Sequence, residues 1–262
     1  MSASLSDPLA KLRRAGDHLN ALHIAAQAFI DRQPYQIITE QEAEGWRVFY
    51  LKVREPPPIE LGTVFGDLLH NLRSALDNLV TQLILLNDKP VPRITGFPVF
   101  DKERKFKAVG VKRINGVRSD HAAIIEGLQP YHGRTDATAR AVELLSSYAN
   151  LDRHKLVHPT FVGPAQTDIP FIFRRKPIDT NVVIEGQVTA AGFRLEDGAE
   201  LARLRVGVEP GQPQVSVKAE ALVEIAFGEG LLRLTALPTI AGEITSLIKD
   251  FDPDFPEQVF PT

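Results

Sequence analysis

Two stretches of the chain hold residues whose types and spacing could do chemistry. The first is HNLRSALD, residues 70–77. On a helix of 3.6 residues per turn, His70, Arg73 and Asp77 are rotated by about 300° and 700°, so all three fall within roughly 60° of one another. Facing a second helix, such a polar stripe would form part of a site. Facing water, it would be a solvated surface on which an Arg73–Asp77 ion pair contributes little. The second stretch is NLDRHKLVH, residues 150–158. Here Leu144, Leu145, Tyr148, Leu151 and Leu156 define an apolar side, and Asp152 projects into the middle of it. A carboxylate there needs a partner, because an isolated buried charge is very costly. Arg73 would be that partner if the two helices pack together, either within a site or as a structural ion pair. Arg153 and His154 point elsewhere.

Other candidates are weaker. His18, His23, His121 and His132 show neither H-E-x-x-H nor H-x-H spacing, so no metal site is expected. The acids of DFDPD, residues 250–254, lack the glycine and terminal glutamate of an EF-hand loop. No P-loop, G-x-G-x-x-G or G-x-S-x-G is present, which disfavours nucleotide-dependent and α/β-hydrolase chemistry and leaves no cofactor to expect. With no cysteine in the chain, disulfides, thiol catalysis and iron–sulfur clusters are excluded. A net charge of −3 provides no global basic field for nucleic acid. The local basic run Lys102, Arg104, Lys105, Lys107, Lys112, Arg113, Arg118 would touch phosphate or simply be a solvated loop.

The elements that must position these residues follow from periodicity. Helices are expected over 7–33, 60–86, 119–128, 136–157 and 231–249, with Asp136 capping the fourth. The strongest is 60–86, where Leu68, Leu72, Leu76, Leu79 and Leu83 form one apolar stripe. Alternation over residues 35–53, with a turn at Gly45, predicts a β-hairpin. Residues 88–117 read as a long surface excursion with a short extended piece at Gly96–Phe100. Beyond 160, β-branched and aromatic runs at Phe161, Phe171–Phe173, Val182–Val188, Leu201–Val208 and Val215–Ile225 predict strands, with a hairpin tip within Phe193–Leu204. Asp250–Thr262 reads as a loosely packed strap. The class is therefore α+β: a helical unit over 1–158 with an inserted hairpin, then a mainly antiparallel β unit over 159–262 closed by a helix. No apolar run is long enough for a membrane span and no secretory signal is recognisable, so a cytoplasmic location is expected.

The ordered motifs HNLRSALDNL, FPVF, IIEGLQPYHG and NLDRHKL resemble a family of uncharacterised bacterial proteins over roughly residues 60–158. The resemblance implies no activity. It does imply that His70, Arg73, Asp77, Gln129, Tyr131, Asn150, Asp152 and His154 belong to one architectural unit. A looser resemblance is the spacing R-x4-H at Arg153 and His158, which is similar to the signature of HEPN-domain ribonucleases. These are small helical dimers in which an arginine and a histidine of one helix act together. That resemblance would make Arg153 a phosphate binder and His158 the acid or base acting on a ribose 2′-hydroxyl, with no metal. Two functions are carried forward: a binding or interaction protein, homodimeric through its long helices, and a metal-independent endoribonuclease acting on RNA.

Overall fold

The leucine stripe of residues 60–86 becomes α2 (Glu60–Leu86). Leu68, Leu72, Leu76, Leu79 and Leu83 are all at most 2% exposed within the single chain. The stripe is buried within the chain itself. The computed structural model describes residues 3–163, 171–174, 183–188, 192–207, 216–219, 223–229 and 231–255. Around α2 the order is α1 (Ser6–Asp31), β1 (Tyr35–Gln41), β2 (Trp46–Val53), then short helices α3 (Glu103–Lys105) and α4 (Val111–Arg113), α5 (Ser119–Gly127) and α6 (Ala137–His154). Strands β3 (Pro159–Val162), β4 (Phe171–Arg174), β5 (Val183–Val188), β6 (Arg194–Leu195), β7 (Glu200–Gly207), β8 (Ser216–Ala219), β9 (Glu224–Phe227) and β10 (Leu232–Arg233) precede α7 (Leu237–Lys249). The class is α+β. Among the described residues, no helix is long and apolar enough to cross a membrane.

The chain divides into two compact units with one cut between Val157 and His158, and each unit is discontinuous in sequence. One comprises Met1–His23, Gly62–Val157 and Thr235–Thr262; the other comprises Ile24–Leu61 and His158–Leu234. Strand pairing explains where the hairpin goes. β2 pairs antiparallel with β7, Trp46 opposite Arg205 and Phe49 opposite Ala202, so the described sheet runs β1-β2-β7-β5. The hairpin at 35–53 therefore belongs with the later strands. A second antiparallel sheet runs β10-β9-β3-β6, and β4 pairs with β8. The closing helix goes the other way. α7 buries Leu237, Ile240, Ile244, Leu247 and Ile248, it packs on α6, and Thr138 Oγ1 donates to Glu243 at 2.6 Å.

Element ends differ from the expectations for local reasons. α7 starts at Leu237 rather than 231, because Leu232 and Arg233 pair with Phe227 and Ala226 and Pro238 sits in the first turn, where it lacks no bond. α6 begins where expected, with the Asp136 carboxylate accepting from Ala139 N at 3.1 Å. It ends at His154, since Lys155 is extended at φ −154, ψ 145. Leu156 and His158 therefore lie off the helix. The run Val215–Ile225 divides into β8 and β9, and Phe193–Leu204 divides between two sheets rather than forming a hairpin tip. Val182, Val208 and Val215 lie outside the described residues.

The stretch 88–117 is not a surface excursion. Phe97, Phe106 and Ile114 are buried, and residues 103–113 are helical, with one π turn over Phe106–Gly110 between α3 and α4. A Cβ on Gly110 would lie 2.7 Å from the Phe106 ring, so only glycine lets that ring lie against the turn. In the tail, Phe251 and Phe255 are buried, which anchors it as far as 255; residues 256–262 lie outside the described set.

Candidate functional site

The polar stripe of α2 grips a piece of backbone. Phe97 N donates to Asp77 Oδ1 at 2.8 Å, Arg73 Nη2 donates to Phe97 O, and Arg73 and Asp77 pair at 3.2 Å. Together they hold both polar groups of one residue, as a neighbouring strand would. Gln129 does the same two residues on. Its Oε1 accepts from Phe100 N at 3.0 Å, and its Nε2 donates to Pro98 O at 2.8 Å and to Ile125 O at 2.9 Å. Gln129 is wholly buried, and these bonds satisfy the amide. Gly96 N donates to Arg113 O at 3.3 Å, but Phe97, Pro98 and Phe100 bond to side chains, and Pro98 has no N–H to offer a sheet ladder.

Beside this clamp is a groove of about 470 Å³, within the range of small-molecule sites. One wall is the polar face of α6: Glu143, Ser146, Ser147, Asn150 and Arg153, at helical spacing. The other side is formed by Arg73, Phe100, Lys105 and Arg113. Four cations and two carboxylates, Asp101 and Glu143, line it. Lys105 pairs with Asp101 at 3.4 Å, and Arg73 is engaged in the clamp. Arg113 lies over the Phe100 ring, 5.7 Å from its centroid. Neither Arg113 nor Arg153 has a carboxylate within ion-pair reach among the described residues. Burial lowers the affinity of the Arg73 guanidinium for its proton, and the nearby Arg113 and Arg153 cations lower it further against the pull of Asp77.

A smaller cavity of about 130 Å³ adjoins the groove, sharing Arg73, Ala149 and Arg153 with it and adding Leu69, His70 and Asp152. Here α2 and α6 touch. Phe65 meets Tyr148 edge-on at 6.0 Å, and a Cβ on Gly66 would lie 2.6 Å from Asp152 Oδ2. Asp152 accepts from the backbone N–H of Val157, and Arg73 is turned away from it to Asp77, so the expected Arg73–Asp152 pair does not form. Burial pushes the Asp152 carboxyl above its ordinary range; Asp67 adds to this, while the Val157 N–H and His70 oppose it.

The residues singled out in sequence therefore part company. Arg73, Asn150 and Arg153 line the groove; His70 and Asp152 line the adjoining cavity. Asp77 and Gln129 serve the clamp. Tyr131 donates to Glu126 at 3.1 Å and packs near Phe106, and burial and the Glu126 carboxylate push its hydroxyl up to about 12. His154 is exposed and lines neither cavity. His158 is exposed ahead of β3, its carbonyl accepting from Gly228 N at 3.1 Å; it shares no helix with Arg153. Three polar residues of the α6 wall were not anticipated: Glu143, Ser146 and Ser147, whose helical spacing to Asn150 and Arg153 was the available signal. Arg113 stood in the basic run but without the helix that presents it. Among the described residues, no three His, Asp or Glu side chains come together as a metal site. No protein-family model matches the chain, no curated protein matches its sequence, and no solved structure matches its fold.

Proposed function

We propose that this chain is a binding protein and that its groove takes a small ligand bearing a phosphate group. The observation supporting this is that Arg113 and Arg153 line one concave surface with no carboxylate in ion-pair distance among the described residues. Arg113 and Arg153 each act unfavourably on the Arg73 cation, and an arriving anion would offset that charge. Guanidinium groups match phosphate oxygens in geometry, and the Ser146, Ser147 and Asn150 side chains add uncharged hydrogen-bond donors beside them. The volume suits one small molecule rather than a polymer.

Calorimetric titration with inorganic pyrophosphate at low ionic strength tests the reading. Saturable binding that weakens at least tenfold in Arg113→Ala and in Arg153→Ala supports it. No binding to the wild type, or binding indifferent to both substitutions, refutes it. A single-stranded RNA oligonucleotide serves as a second titrant. Cleavage of it in EDTA, lost in His158→Ala, would replace this proposal with the ribonuclease suggested by the R-x4-H spacing.

A further inference from the structure

Asp152 sits in an unusual position for a carboxylate. It lines a cavity of about 130 Å³ that opens beside the groove, and its known partner is one backbone N–H, that of Val157. Among the described residues, no cation lies within ion-pair distance of it. Arg73 and Arg153 line the same cavity, but Arg73 donates to Phe97 O and pairs with Asp77, and Arg153 is exposed. Gly66 is the residue that admits the carboxylate, since a Cβ there would lie 2.6 Å from Oδ2. The charged groups acting on Asp152 are Asp67, which repels its charge, and His70, which attracts it. A carboxylate held this way lacks a hydrogen-bonding cation.

Resting on the phosphate-binding reading of the groove, we infer that the ligand is zwitterionic: its phosphate lies against Arg113 and Arg153, and a primary amine enters the adjoining cavity to meet Asp152. The two cavities share Arg73, Ala149 and Arg153 as common wall, so one molecule can occupy both. The smaller cavity has room for an ammonium group with a few carbons, a water occupying roughly 30 Å³ of liquid.

Aminoalkyl phosphates of two to five carbons, each paired with the alkyl phosphate of equal length, provide the test by calorimetry. At least one amine should bind about tenfold or more tighter than its amine-free partner, as a charge-assisted hydrogen bond to a partly buried carboxylate requires. Asp152→Asn should erase that difference, so that each amine binds no tighter to the variant than the alkyl phosphate of equal length. The inference fails if no amine in the series binds tighter than its partner, a comparison that needs no variant. It also fails if the preference survives in Asp152→Asn. Alkyl phosphates that bind through Arg113 and Arg153 without any amine preference would overturn the inference and leave the groove reading intact. A series in which nothing binds, pyrophosphate included, would sink both.

Discussion

α2 and α6 each bring an arginine into the same groove, and the two arginines live differently. Arg73 is largely buried, donates to Phe97 O and pairs with Asp77. Arg153 is exposed, lines the groove with Arg113, and has no carboxylate within ion-pair distance among the described residues. The same contrast runs through the neighbouring residues. Asp77 and Gln129 have their bonds made for them by residues 97–100, whereas Asp152 has one backbone N–H and a like charge nearby. Polar groups whose bonds are complete hold the fold. Polar groups left incomplete on a concave surface cost stability, and that marks them as groups waiting for a partner from outside. Motif spacing alone does not separate the two kinds.

The largest effects are expected on the completed side. Gln129→Ala removes three hydrogen bonds and leaves Phe100 N–H and Pro98 C=O unpaired in the interior, and urea denaturation should show a loss of about 3–5 kcal/mol. A loss under about 1 kcal/mol would mean that the clamp does not hold the 96–100 segment. Asp77→Ala should cost about 2 kcal/mol, since it strands the Phe97 N–H and leaves Arg73 with no carboxylate. Pyrophosphate should stabilise both variants as much as it stabilises wild type and leave their deficit unchanged, because neither side chain is proposed to touch it.

The smallest effect is expected at Asp152, and its sign is the informative part. Its folded pKa lies above its unfolded value. Between those values the native state binds more protons than the unfolded chain, so stability falls as pH rises through that window. The penalty is absent at pH below the unfolded value, near 3.9, and complete above the raised one. In Asp152→Asn the amide oxygen can still accept from Val157 N–H while the charge is gone. The variant should therefore be at least as stable as wild type at pH 7 and should lose that advantage below pH 4. Paired denaturation curves at the two pH values check this, and a variant clearly less stable at pH 7 would show that the carboxylate holds the helices together instead.

Much of this was legible in sequence where periodicity speaks. The leucines of α2, the Asp136 cap and the alternation of 35–53 each announced the right element. The hairpin's allegiance was hidden, because pairing of Trp46 with Arg205 joins residues far apart in sequence and local pattern carries no register across such a gap. The end of α6 was misplaced because Leu156 continued the apolar spacing while Lys155 had already turned extended. The grouping of Arg73 with Asp77 was readable from helical geometry, but its acceptor, Phe97 O, lies in a segment whose backbone bonds go to side chains, and no spacing rule points to that. The apolar neighbours of Asp152 correctly suggested a sheltered carboxylate. They did not reveal that Arg73 would be engaged elsewhere, which is the feature that makes Asp152 a candidate ligand-binding group.

The contrast between completed and incomplete charges is tested most directly by unfolding wild type and the Arg113→Ala/Arg153→Ala double variant with and without pyrophosphate. Without it, the variant should match or exceed wild-type stability, because two cations that act unfavourably on Arg73 are gone. With it, wild type should gain stability by mass action, about 2.7 kcal/mol at one hundred times the dissociation constant, and the variant should gain almost nothing. A double variant that is itself several kcal/mol less stable, or that gains as much from pyrophosphate as wild type does, would place these arginines among the structural residues and contradict the assignment of the groove.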